Sequence, residues 1–165
     1  MATPTNLPTA FVAGDILTAA NMNLIRGGFR VLQIVGAQTS TQVTHNSTTY
    51  SSTFITATIT PQFNTSKIMV MVTVNGTVKG AENSGNALNF QLLRGATEIY
   101  TVKDLHYTGT ALQITGSCAF NFLDSPATTA ATTYLINAKN SVATFTVATQ
   151  YQSQPSTIYL AEISA

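Results

Sequence analysis

The side chains able to do chemistry in this sequence are few and scattered. Its six carboxylates are Asp15, Glu82, Glu98, Asp104, Asp124 and Glu162, and its two histidines are His45 and His106. Glycoside hydrolysis needs two carboxyl groups held about 5–10 Å apart. Only Glu98 and Asp104 are near neighbours in the sequence, and no further feature marks them as a working pair. Asp104-Leu105-His106 would place a carboxylate and an imidazole on one face of an extended chain. A metal centre needs three or four ligands, and neither histidine has a set of partners at ligand spacing, so both read as polar loop residues. No Gly-x-Ser-x-Gly elbow and no glycine-rich phosphate loop between a strand and a helix occurs. The sequence therefore yields no catalytic, cofactor or metal site, and the chain reads as non-enzymatic.

The remaining candidates have plain structural explanations. Cys118 is the only cysteine, so no internal disulfide can form, and its apolar setting (Ser117-Cys118-Ala119-Phe120) reads as core. Arg26-Gly27-Gly28-Phe29-Arg30 has the letters of an RNA-binding segment, but nucleic-acid affinity depends on clustered cations and the net charge is +1. Three Asn-x-Ser/Thr triplets, at Asn46, Asn64 and Asn75, are chance products of a Thr-rich chain with no secretory signal. Tyr50, Tyr100, Tyr107 and Tyr151 would suit glycan recognition if brought together; the simpler reading is separate surface tyrosines beside strands. Charged residues are 8% of the chain, far below the usual quarter, so Ser, Thr, Asn and Gln must supply the polar surface. Such a surface fits a chain covered by copies of itself or by a larger assembly. No run is apolar and long enough to insert into a bilayer.

These residues are held on elements that read almost entirely as β-structure. Residues 1–10 form an extended Thr/Pro arm. A short helix follows, with Thr18 as N-cap, Leu17 and Met22 as a hydrophobic staple, and Gly27-Gly28 as its stop. Two helical turns are unstable alone, so Leu17, Met22, Leu24 and Ile25, with Phe29 beside them, must pack on another surface. Strands are expected at residues 29–36, 54–60, 67–74, 87–93, 97–102, 112–123, 132–138, 142–150 and 156–163. Residues 39–52 read as loop or edge. The run 67–74 lacks alternation, which predicts burial on both faces, and Asn75-Gly76 predicts the turn that closes it. Arg94-Gly95-Ala96 and Lys139-Asn140-Ser141 predict hairpins, and Gly116 a bulge. Eight or nine strands punctuated by Gly, Asn and Pro predict an all-β, antiparallel β-sandwich, jelly-roll-like. The arm and helix span residues 1–28 and the sandwich domain residues 29–165.

Several stretches, in order, resemble a family of tailed-bacteriophage virion proteins, the tail-fibre, minor structural or decoration proteins. They are Ala13-Gly14-Asp15-Ile16-Leu17-Thr18-Ala19-Ala20-Asn21-Met22-Asn23, Ile59-Thr60-Pro61 with Thr65-Ser66-Lys67-Ile68-Met69-Val70, Phe90-Gln91-Leu92-Leu93-Arg94-Gly95, and Leu123-Asp124-Ser125-Pro126-Ala127-Thr128-Thr129. The resemblance implies a structural subunit of the virion, made in the host cytoplasm. It further implies a homotrimer attached to other virion proteins through its N-terminal segment, where Leu17, Met22, Leu24, Ile25 and Phe29 would make the contact. A second reading is a host-glycan-binding module using residues 39–52, 79–86 and 104–110, with Tyr50, His106 and Tyr107 as contacts.

Overall fold

The computed structural model describes residues 30–143 and 145–164. The attachment residues Leu17, Met22, Leu24, Ile25 and Phe29, and the helix that would carry them, lie outside the described residues. Ten strands are present: β1 (Val31–Thr39), β2 (Val43–His45), β3 (Ser51–Ile59), β4 (Lys67–Lys79), β5 (Leu88–Arg94), β6 (Thr97–Leu105), β7 (Ile114–Asp124), β8 (Thr132–Asn140), β9 (Val147–Thr149) and β10 (Ser156–Ile163). All pairings are antiparallel.

Each of the nine expected strands has a counterpart, and the tenth is β2, which lies in residues 39–52, read from sequence as loop or edge. β1 continues into β2 along the same edge, and β9 into β10, because β1 pairs with β10 and β2 with β9. Counting each such continuation once, the larger sheet runs β1/β2, β9/β10, β4, β7, and the smaller runs β3, β8, β5, β6. First pairs with last, and so inward: β1/β2 with β9/β10, β3 with β8, β4 with β7, β5 with β6. A long antiparallel hairpin wound into two facing sheets is a jelly roll.

The core lies between the sheets. In the larger sheet, Val35, Leu160, Val70 and Phe122 stand in register across four strands and point inward. They face Ile55, Phe90, Leu92, Tyr134 and Ile136 of the smaller sheet. Cys118 belongs to this core, and burial raises its thiol pKa, which disfavours the nucleophilic thiolate. The run 67–74 is not buried on both faces. Ile68, Val70, Val72 and Val74 are buried, whereas Met69, Met71 and Thr73 between them are only half-buried on the outer face. The sequence lacks alternation because the outer positions are also apolar.

Two turn assignments are overturned. Asn75-Gly76 does not end a strand; β4 runs through it to Lys79, with a register shift between Val74 and Thr77 against β7. The extra residue of this bulge is on β4, while Gly116 stands opposite Thr77. The left-handed backbone that favours glycine in turns is present, at φ 60° for Gly76, but it serves the bulge. The segment after Lys139-Asn140-Ser141 does not return as a hairpin either: β8 lies in the smaller sheet and β9 in the larger. Residues 39–52, read as loop or edge, contain β2. The β5–β6 hairpin around Gly95 is present as expected.

This topology sorts the connections. Arg30 enters at one end, the near end, with residues 60–66, 95–96 and 125–131. The β2–β3, β4–β5, β6–β7 and β8–β9 connections lie at the other, the far end. Near-end charges are tightly held. Arg94 grips both carboxylate oxygens of Asp124 at 2.9 and 3.0 Å, and the buried Tyr134 hydroxyl donates to the same group at 2.6 Å. Burial and this bond to a carboxylate push the Tyr134 pKa far up. Glu162 is fully buried. Burial alone would raise its pKa, but donation from Gln33 and from the Gln62 and Phe63 backbone N–H groups holds it below the usual value.

Two predictions follow from this packing. A Cβ on Gly76 would sit 2.5 Å from the Tyr151 backbone nitrogen, whereas one on Gly95 would meet nothing within 4 Å, though φ is positive at both. Gly95→Ala should cost about 1 kcal/mol, the left-handed penalty alone, and Gly76→Ala about 2–4 kcal/mol by urea unfolding; equal losses would contradict the bulge geometry. His45 is 2% exposed, its ring nitrogens facing Ser51 and Thr149 hydroxyls at 2.8 and 3.4 Å. Burial lowers its pKa from 6.5 to about 4. The unfolded chain therefore takes up this proton first, so stability falls as pH drops below 6.5, by up to about 1.4 kcal/mol per pH unit, and is unaffected by this group above it. His45→Gln should flatten the stability–pH slope between pH 6.5 and 4; an unchanged slope would show that His45 is not its source.

Candidate binding groove at the far end

The far end is built on Asn140, the last residue of β8 and fully buried. Its backbone N–H donates to Ser47 O at 3.0 Å, and its amide donates to Asn86 Oδ1 at 3.1 Å and Phe145 O at 2.8 Å. Its carbonyl oxygen accepts from the Ala87 and Val142 N–H groups, both at 3.3 Å. One residue, through its backbone and its side chain, thus ties together three of the four far-end connections. The fourth is held by Lys79, whose buried ammonium donates to Thr108 Oγ1 at 2.8 Å and Thr110 O at 2.6 Å.

On the outer face of the larger sheet, beside these loops, the strands form a floor. Thr44, Ala148, Val78 and Thr115 stand in register across β2, β9, β4 and β7. Above this floor is a depression of about 430 Å³, walled by Gln42, residues 80–82, Gln113, Thr146 and Tyr151. A second depression of about 370 Å³ adjoins it, lined by Gly76, Thr115, Gly116, Ser117, Gln152 and Gln154. Gln113 and Tyr151 border both, making one groove with two compartments.

Tyr151 is presented by the interruption between β9 and β10, a 3-10 turn over Tyr151–Ser153. Gln150, Gln152 and Ser153 all have left-handed backbones, at φ 53°, 55° and 57°, a strained conformation for non-glycine residues. Surrounding bonds hold it. Gln150 N–H donates to Asn75 O at 3.1 Å, Gln152 N–H to Gln42 Oε1 at 3.1 Å, Asn75 Nδ2 to Pro155 O at 2.6 Å, and Asn75 N–H to Ser156 Oγ at 2.9 Å. Gly76 lets the turn approach β4 closely. The interrupted strand and the β4 bulge are two sides of one irregularity.

The three loops proposed as glycan contacts do meet at the far end, but their named residues take separate places. Tyr50 lies beneath Lys139, with Nζ 4.6 Å from the ring centroid. Burial, then the Glu98 carboxylate, raises its hydroxyl pKa. His106 faces Thr77 Oγ1 at 2.8 Å and packs behind Gly116, where a Cβ would come within 3.0 Å of its ring. Burial lowers the His106 pKa, an effect partly offset by Thr77. His106 thus supports the groove wall from behind. Tyr107 is 61% exposed. Of the four tyrosines named from sequence, Tyr151 lines the groove, while Tyr100 stacks on Phe120 with centroids 5.4 Å apart.

The carboxylate pair does not form. Glu98 accepts from Gln91 near the start of β6, and Asp104 accepts from Ser141 at its end; six residues of strand put them about 20 Å apart. Asp104 and His106 have φ of 55° and 66°, so that segment is not extended and the two side chains engage Ser141 and Thr77 separately. Among the described residues, no three His, Cys, Asp or Glu side chains converge at metal-binding distance.

No protein-family model matches the chain, and no curated protein matches it significantly. Among solved structures, the chain is similar in fold to the VP2 subviral particle protein of infectious bursal disease virus, with a TM-score of 0.45 and 13% identity. That likeness covers 81% of this chain and 39% of the viral one, so the chain spans well under half of its neighbour's length.

Proposed function

We propose that the chain is a non-enzymatic structural subunit of a tailed-bacteriophage particle, a fibre, appendage or decoration protein. In this reading it is a homotrimer that assembles through the near-end half of the larger sheet's outer face. Residues 1–28, with Leu17, Met22, Leu24 and Ile25, and the adjoining Phe29, hold it to other virion proteins.

The observation that carries this reading is an apolar row on that face. Ile34, Ala161, Met69 and Leu123 stand side by side across all four strand positions. Ile34 is 63% exposed and Leu123 46%. The next row adds Met71 and Tyr159, whose ring lies over Gly36, and Val31 extends the patch toward Arg30. Contiguous apolar surface of this kind marks interaction sites, and each large side chain gains about 1.5–3 kcal/mol if fully buried. A second copy of the chain is the fitting occupant, since a face with Lys67 and the bordering Arg30 as its nearby charges offers little electrostatic selectivity for an unlike partner. The N-terminal segment joins at Arg30, on the border of this patch, so attachment and self-association would share one end. The sequence resemblance supports the same reading, and jelly rolls recur in viral coats, by analogy at the level of fold.

Light scattering on the full chain should give about three times 17.5 kDa, and the double variant Ile34→Glu/Leu123→Glu a folded monomer with an unchanged circular-dichroism spectrum. A wild-type monomer at micromolar concentration would refute the assembly. Removing residues 1–28 should leave the β body folded but absent from purified particles; incorporation of the truncated chain would show that the segment is not the anchor.

A further inference from the structure

We propose that the far-end groove centred on Tyr151 is a binding site for a neutral oligosaccharide. The inference stands apart from the assembly through the near-end face, because it uses the other half of the same sheet.

The chemistry of the groove selects the ligand class. Its rim is made of amides and hydroxyls: Gln42, Gln113, Gln152, Gln154, Thr115 and Ser117. Such groups both donate and accept, as sugar hydroxyls do. The floor at Val78, Ala148 and Gly76 is apolar, and Tyr151, which carries an aromatic ring, borders both compartments. An aromatic ring covers the C–H face of a pyranose while its hydroxyl remains at the polar rim. Glu82 is the one ionisable carboxylate lining the groove. No lysine, arginine or histidine lines either compartment, so a phosphate, sulfate or sialic acid would find no countercharge and would be repelled by Glu82. A largely apolar ligand would leave the amide rim unpaired.

The site is also built before any ligand arrives. The turn bearing Tyr151 is clamped to β4 at Asn75-Gly76 and to Gln42, and the walls come from connections cross-tied by Asn140 and Lys79. Pre-ordered contacts lower the entropy lost on binding. Both compartments fall within the range of small-ligand sites, about 300–1,000 Å³, and their junction at Gln113 and Tyr151 suits a linear chain of sugars running along the groove.

The test is ligand-observed NMR on the full chain with trisaccharides of glucose, mannose, galactose and N-acetylglucosamine, alongside sialyllactose. At least one neutral trisaccharide should bind saturably and sialyllactose should not. Gln113→Ala and Tyr151→Ala should each weaken that binding about tenfold or more, whereas Tyr151→Phe should keep most of it. Gln113 lies on the rim outside the strands, so its variant tests the site even if Tyr151→Ala fails to fold. Absence of binding by every neutral trisaccharide, preference for sialyllactose, or binding unchanged in Gln113→Ala would each overturn the proposal. Light scattering on the Gln113→Ala variant should match the wild type, which separates loss of the site from loss of assembly.

Discussion

The close approach of Gly76 to Tyr151 is the constraint on which the outer face of the larger sheet depends. A regular β9/β10 strand would pair with β4 along its whole length and leave a flat surface. Instead, β4 bulges at Asn75-Gly76 and the opposing strand breaks into β9, a 3-10 turn and β10. Only a residue without Cβ tolerates the resulting 2.5 Å approach. The groove, the projection of Tyr151 and three left-handed backbones follow from this one contact.

The two ends of the sandwich solve the same problem with different chemistry. The chain has few charges and must still satisfy buried polar groups. At the near end it uses them directly, in the Arg94–Asp124–Tyr134 cluster and in Glu162 with its donors. At the far end no ion pair forms among these ties: Asn140 is the hub, and the Lys79 ammonium is held by neutral oxygen acceptors. Such ties leave the far-end surface rich in amides and hydroxyls. The near-end half of the outer face keeps its apolar row.

Much of the fold is legible in the sequence because it is set by near neighbours. The β5–β6 hairpin is visible in Arg94-Gly95-Ala96, where glycine supplies φ 59°. The arrest of β3 before Pro61 and the start of β10 after Pro155 follow from proline's missing donor. The groove is not legible. Its residues come from positions 42–44, 76–82, 113–117 and 146–154, and no local pattern joins Gln42 to Gln113 or Tyr151. The one available signal was the Asn75-Gly76 pair, which correctly announces a left-handed backbone but not whether it closes a turn or opens a bulge.

The sequence by itself determined the β character, the antiparallel sandwich, the positions of most turns and the burial of Cys118. Periodicity, proline and glycine act over a few residues, and their effect survives any tertiary arrangement. Tertiary structure alone decided that β8 and β9 part into different sheets, that β1/β2 pairs with β9/β10 across the length of the chain, and that four distant connections share one end. Those choices are made by competition among non-local strand pairings for the same core. The winning arrangement also places an apolar row and a polar groove on opposite halves of one sheet face.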